Sequence, residues 1–523
     1  MRVRVRMYRQ GLGDCFLLTF GDGDDAKHVL IDCGSLGATT TGVPMADVAR
    51  DIASATGGRL DLLVATHEHK DHVSGFASEP AVFDDDAVLR IARVWQAWTE
   101  NPDDPLAQDL KKYDGDLEAA ARLAATALKA NPLPAAAGRQ ALAALGDGID
   151  DVLAFRDDIV LGADLAKTVH EAMTFVGGRA PREFLVPGNA PREEDWLPGV
   201  RIYVLGPPRD AAAIGRLGDH GSDDLYARAG RHAADLAVSA RFAASGKTLA
   251  DYRAGLDAAG RQAMLGVVPF DDHHRLELGA GAEDACPAYY ADAEAWRRID
   301  VDWLAGAADL ALQLDSRTNN TSLALAFELV DDGSVLLFPG DAQLGNWRSW
   351  HEAVDDAGDP VRVEAGEPPK RLWRVPGAPA GAEVTTEDLL QRTVLYKAGH
   401  HASHNATLRD GGLERMAGTG DGAPDASGRR LVAMIPVDRA VAVKKPPRGS
   451  WDMPASDLYL RLIAKTNGRV LRSDIGWAKR DDDVVKSRID EARWHPFAAA
   501  QQAAEADGEV RIEPLFVEWT NGA

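Results

Sequence analysis

The chain has 523 residues, 45% of them hydrophobic, which is enough for a sizeable core; about 150 residues per domain suggests about three units, or one large domain carrying insertions. No window approaches the roughly 20 apolar residues of a membrane span, and three widely spaced cysteines (Cys15, Cys33, Cys286) argue against a disulfide framework or a Cys-rich zinc site. With 58 basic against 81 acidic residues the net charge is −23, which argues against broad affinity for nucleic acid but leaves room for a local basic groove.

The N-terminus, "MRVRVRMYRQ", alternates polar and apolar residues as a strand does and has no apolar core of a signal peptide. A cytoplasmic location is the default expectation, with no membrane partner. Next come "VRVRMYRQGLGDCFLLTF" and "HVLIDCGS", read as strands joined by turns at Gly11, Gly13 and Gly34. "ADVARDIASAT" reads as a helix, "LDLLVAT" as a short buried strand, and "VLRIARVWQAW" as a further strand region.

From residue 104 the texture becomes alanine-rich with helical periodicity, as in "DLEAAARLAATALKANPLPAAAGRQALAALG". "GVRIYVLGPP" returns to strand. A second stretch, including "RAGRHAADLAVSARFAASGKTLADYRAGLDAAGRQAMLG", again reads as helices. Strand patterns resume with "TSLALAFELVDDGSVLLFPGDAQ", whose "DDG" is a hairpin signal. "TVLYKAGHHASHNAT", "RLVAMIPVD" and 457–474 complete a strand–helix series. The expected organisation is a layered α/β core in pieces (1–103, 181–208 and 306–480). Two largely helical insertions, 104–180 and 209–305, interrupt it, and 481–523 forms a C-terminal extension.

Chemistry is concentrated at strand ends. In "LLVATHEHKDHVSGF" (62–76), His67, His69, Asp71 and His72 directly follow an apolar strand. A single histidine there is ordinarily a solvated loop residue, but no packing rule calls for H-x-H-x-D-H. Imidazoles and a carboxylate suit zinc, manganese or iron. In an extended chain His67, His69 and Asp71 share one side, and a bend brings His72 round. "SVLLFPGDAQ" places Asp341 after another apolar strand, where a carboxylate can bridge two cations. "TVLYKAGHHASHNAT" places His400, His401 and His404 after a third.

These motifs together resemble the metallo-β-lactamase fold, and within it the hydrolase domain of ComEC-type competence proteins and their free-standing relatives. "GLGDCFLLTF" with "VLIDCGS" resembles that group's G-Q-G-D strand pair, with Leu12 for the usual Gln. "YVLGPP", "NNTSLALAF" followed by "LLFPGD", "YKAGHHAS" (Ala402 for the usual Gly) and "DLYLRLIAKTNGRVLRSDIGW" resemble later motifs, with Met453-Pro454 where His-Pro is common. The resemblance covers about half the chain and implies an αββα sandwich with two divalent metal ions, Zn²⁺ or Mn²⁺. It implies that His67 and His69 bind the first metal, Asp71 and His72 the second, that Asp341 bridges, and that His401 rather than His400 is the last ligand. Many members have a further histidine before the bridging aspartate; His170, His220, His232, His273 and His274 are the candidates, His220 foremost.

Two cations about 3.5–4 Å apart can share a water and lower its pKa towards neutrality. Asp71 would also orient that nucleophile, and His400 or His404 would donate to the substrate oxyanion or leaving group. Asn319, Asn320 and Ser322 are either rim residues or a strand-start turn. The expected function is a metal-dependent phosphodiesterase or nuclease acting on a small phosphodiester or nucleic acid. The alternatives are hydrolysis of a carbonyl substrate (lactone, thioester or β-lactam) and a non-catalytic interaction protein that retains the fold. The helical insertions are candidates for a lid or for a protein-partner surface.

Overall fold

The apolar strands assemble into two eight-stranded sheets. The computed structural model describes residues 1–521 except 38, 131–145, 158, 161–165, 217–301, 364–367, 377–382, 418–419, 423, 425–427 and 444–450. In the first sheet the order is Arg182–Leu185, Val94–Ala97, Leu62–Ala65, Lys27–Cys33, Cys15–Phe20, Val3–Tyr8, Phe516–Asn521 and Val510–Ile512. Its first four strands are parallel, and every later pairing is antiparallel. The second sheet runs Arg192–Glu193, Val200–Gly206, Ala324–Leu329, Val335–Phe338, Thr393–Lys397, Val432–Ile435, Val470–Arg472 and Gly476–Trp477. Here the four strands from Val335–Phe338 to Val470–Arg472 are parallel.

Strand alternation sorts the side chains into three cores. Val3, Val5, Phe16, Leu18, Leu62 and Val64 of the first sheet meet Ile202, Leu325, Phe338, Leu395 and Met434 of the second in a core between the sheets. The opposite faces are covered by helices. Met45–Ala55, Lys70–Ser78 and Val169–Gly178 pack on the first sheet through Ile52, Phe76 and Met173. Leu344–Ser349, Thr386–Gln391 and Ser456–Lys465 pack on the second through Trp347, Leu390 and Leu462. The protein is therefore a mixed α/β fold, as expected. Among the described residues no helix is long and apolar enough to cross a membrane.

The segment 104–180 forms a helix, Pro105–Ala130, that packs against a second helix, Asp302–Asn320, where Arg317 Nε and Asp114 Oδ1 lie 2.5 Å apart. Its far end, Val169–Gly178, belongs to the layer over the first sheet. Most of 209–305 lies outside the described residues. The segment 481–523, expected as an extension, instead supplies two strands of the first sheet, with Val517 opposite Met7 and Trp519 opposite Val5. Only six residues, "FVEWTN", carry that strand, and Glu518 interrupts its apolar pattern while pairing with Arg6.

The parallel strands of both sheets carry the chemistry at their carboxyl ends, as open α/β sheets do. Asp32, His67, Asp341 and His400–His401 all sit at or just beyond such ends.

Candidate metal centre

The centre begins where the strand Leu62–Ala65 gives way to the helix Lys70–Ser78. The chain does not stay extended through Asp71: His69 caps the helix, and Asp71 and His72 lie in its first turn, where the helix dipole favours a carboxylate. Asp32 ties the two elements together. It accepts from Thr66 N (2.8 Å) and Thr66 Oγ1 (2.7 Å), and its Oδ2 lies 2.7 Å from His72 Nδ1. The loops of "GLGD" and "DCGS" press on the helix start, with Asp14 N donating to Asp71 O at 2.9 Å. A Cβ on Gly34 would fall 2.2 Å from Asp71 C, so only glycine fits there.

Asp341 is held at the tip of its strand by Ser322, whose Oγ accepts its N–H at 3.0 Å. Its Oδ1 accepts from Lys397 Nζ (2.9 Å) and from the His400 N–H (2.8 Å). Oδ2 makes no hydrogen bond and lies 3.1 Å from His72 Nε2, which also makes none.

After Thr393–Lys397 the backbone takes three successive left-handed conformations, at His400 (φ 45°), His401 (φ 52°) and Ala402 (φ 60°). Non-glycine residues seldom adopt them, at a cost of about 1–3 kcal/mol each. The bend turns His401 inward, with Nε2 2.8 Å from Asp71 Oδ2 and Nδ1 2.6 Å from Pro436 O. His400 stands beside it. Its Nδ1 lies 2.9 Å from Ser403 Oγ, while its Nε2 is buried without a hydrogen bond.

Donor atoms of His67, His72 and Asp341 lie within 4.8 Å of one another, and so do those of Asp71, Asp341 and His401. His69 joins through Nδ1, 3.0 Å from His67 Nε2. Buried, hydrogen-bond-free atoms accumulate at this one place: Asp71 Oδ1, His72 Nε2, Asp341 Oδ2 and His400 Nε2. A buried carboxylate without a partner is costly, and a divalent cation is the partner that this imidazole–carboxylate set suits. The residues present therefore fit a metal centre.

The field agrees. Burial works against a charged His72, yet Asp341, Asp14, Asp71 and Asp32 push its pKa well above the usual imidazole value. Burial likewise opposes the charge on Asp341, but Lys397 and His72 hold it well below the carboxylate range. His400 is lowered to about 4, chiefly by burial, and stays neutral at pH 7.

The structure thus brings together His67, His69, Asp71, His72, Asp341 and His401, with His400 alongside. It does not bring in His404, which is exposed and whose only charged influence is Asp452. His170 is also outside the cluster: it is largely exposed and lies 3.0 Å from Glu68 Oε1. His220, His232, His273 and His274 lie outside the described residues. Asn320 and Ser322 are structural rather than rim residues, since Asn320 Oδ1 accepts from Gln343 N and Asn346 N.

Four residues that sequence reasoning gave no role complete the surroundings: Asp14, Asp32, Lys397 and Asp315. Asp14 follows Gly13 directly and Asp32 stands two residues before Gly34, a usable signal; Asp315, within a helix, gave none. Beside the centre two cavities of about 450 and 400 Å³ share Glu68, Arg156 and His170 in their walls.

No protein-family model matches the chain, and no curated protein matches it.

Proposed function

We propose that this protein is a metal-dependent hydrolase of the metallo-β-lactamase fold that cleaves a small phosphodiester at a dinuclear centre. The observation that carries this reading is the convergence of buried, hydrogen-bond-free donor atoms from three strand ends. The layer order, with helices outside two facing sheets, supports the αββα sandwich that the motifs suggest.

His67 and His69 would hold one cation, Asp71, His72 and His401 the other, with Asp341 Oδ2 shared between them. Cations bound there would polarise the phosphoryl oxygens and bring the pKa of the attacking water towards neutrality. Asp71 Oδ1, buried without a hydrogen bond, would accept one from the attacking water and orient it. His400, neutral at pH 7, would donate a hydrogen bond through Nε2–H to a substrate oxygen on which charge develops. Asp32 and the Pro436 carbonyl keep His72 and His401 from rotating, so the donor set does not reorganise during reaction.

Among the described residues, the two cavities reach the centre only through Glu68, which stands between His67 and His69 in the chain. Their walls mix Arg122, Arg156, Lys111 and Lys112 with Glu68, Glu100, Glu118, Asp114 and Asp157. With no excess of Lys and Arg, such a lining does not favour a polyanion, whose binding depends on that excess.

The deciding experiment is hydrolysis of bis-p-nitrophenyl phosphate, single-stranded DNA and a chromogenic lactam by protein loaded with Mn²⁺ or Zn²⁺. The control is the His67→Ala/Asp341→Ala double variant. Metal-dependent cleavage of the phosphodiester, lost in the variant and weak on DNA, is the expected result. Cleavage of the lactam alone would transfer the protein to carbonyl chemistry.

A further inference from the structure

Each inward-facing imidazole of the centre presents one nitrogen to the cluster and needs a partner for the other. For three of them the partner is plain. His67 Nδ1 lies 3.0 Å from Thr66 Oγ1, His72 Nδ1 2.7 Å from Asp32 Oδ2, and His401 Nδ1 2.6 Å from Pro436 O. All three turn Nε2 inward. His69 is reversed: its Nδ1 meets His67 Nε2 at 3.0 Å, which leaves Nε2 as the outer nitrogen.

That outer nitrogen is buried and makes no hydrogen bond. Opposite it, at 3.9 Å, is Asp315 Oδ1, which is also buried and also makes none. The other carboxylate oxygen, Oδ2, accepts from Asn319 Nδ2 at 3.0 Å, one turn further along Asp302–Asn320. The ring of Phe155 packs against His69 with centroids 5.7 Å apart.

We infer that Asp315 is the positioning carboxylate of His69: it accepts the Nε2–H, fixes the tautomer, and so holds Nδ1 as the metal-binding nitrogen. The inference rests on the metal-centre reading above. If Nδ1 offers its lone pair, a neutral imidazole must carry its proton on Nε2. A buried donor left without an acceptor costs about 1–3 kcal/mol. At 3.9 Å the two atoms do not bond in this structure, and a hydrogen bond between them needs an approach closer by about 1 Å. Asp315 is not itself a ligand in this geometry, because it approaches the ring from the Nε2 side, while the ligating atoms meet on the Nδ1 side. A carboxylate here also makes His69 a stronger donor, as outer partners of metal-bound imidazoles do.

The test compares wild type, Asp315→Ala and Asp315→Asn. Metal stoichiometry and affinity are read by competition with a chromophoric chelator, and Co²⁺-loaded protein is examined by proton NMR for hyperfine-shifted, exchangeable imidazole N–H signals. Asp315→Ala is expected to bind two metals with the weaker affinity lowered about 10–100-fold. It should also lose one N–H signal to solvent exchange. Asp315→Asn, which keeps an acceptor oxygen and the shape, is expected to retain that signal with intermediate affinity. Unchanged affinity with every signal present in Asp315→Ala would overturn the inference. Loss of a whole metal equivalent would overturn it too, by making Asp315 a ligand. A wild type that binds no metal would instead remove the metal-centre reading on which the inference stands.

Discussion

Lys397 Nζ and Asp341 Oδ1 lie 2.9 Å apart with both side chains buried, and this pair determines how Asp341 faces the cluster. Oδ1 is committed to Lys397 and to the His400 N–H, so Oδ2 alone is left for a cation. The same ammonium lies 2.5 Å from Asp14 Oδ2. Lys397→Met would strand two buried carboxylates. Removing one partner of a buried pair costs about 3–5 kcal/mol, and that loss is expected in urea unfolding of the metal-free protein. Loading with metal should recover part of it, because the cations supply the missing charge. An equal deficit with and without metal would show that Lys397 supports the fold and not the centre.

His400 and His401 are neighbours with different tasks. His401 is locked between Pro436 O and Asp71, whereas His400 Nε2 is buried with no hydrogen bond. His401→Ala should therefore bind one metal fewer by elemental analysis. His400→Ala should keep both metals and lose turnover on bis-p-nitrophenyl phosphate by about 10²–10³-fold, the usual worth of one hydrogen-bond donor to developing charge. The reverse pattern would exchange their roles.

The candidate metal-binding residues were legible because they follow apolar strands at short spacing, and an isolated strand end needs no such chemistry for packing. What escaped was support arriving from elsewhere in the chain. Asp315 lies in Asp302–Asn320, a helix that crosses the expected boundary at 305 and went unread; only the folded chain brings it opposite His69. His404 looked like a third member of its cluster because sequence distance carries no sign of direction. The structure leaves it exposed, outside the cluster. The final strand, Phe516–Asn521, went unread for a related reason. Six residues carry too little period to stand out, and their place beside Val3–Tyr8 is a contact between the two ends of the described chain.

His351 should make the protein acid-sensitive independently of the centre. Burial lowers its pKa, against an opposing contribution from its 2.7 Å contact with Gly411 O. A folded-state pKa below the unfolded value of about 6.5 means that both states are neutral above that pH. As pH falls below about 6.5, the unfolded chain takes up the proton first and stability declines until the folded pKa is passed. Urea midpoints at pH 7.5 and 5.5 should fall less in His351→Gln, which keeps a donor for Gly411, than in wild type. Parallel curves for the two proteins would exclude His351 as a contributor.

Gly34 offers the cleanest separation of metal binding from general stability. Its φ is not in the left-handed region, so Gly34→Ala introduces no backbone strain of that kind; it introduces only a methyl group. That methyl would stand 2.2 Å from Asp71 C, 2.3 Å from Asp71 O and 2.4 Å from His72 N, all of them backbone atoms that cannot swing aside. The helix start must therefore move, and with it Asp71 and His72. Overpacking of this sort costs about 1–3 kcal/mol, and the displacement should also weaken metal binding in chelator competition. Gly23→Ala is the matched control: at φ +68° it has open space around it, so it adds strain far from the centre. The control should lower the melting temperature while leaving metal affinity at the wild-type value. If Gly34→Ala also lowered stability alone, the close approach of the "DCGS" loop would be a feature of folding, and the positions of Asp71 and His72 would be set by the helix itself.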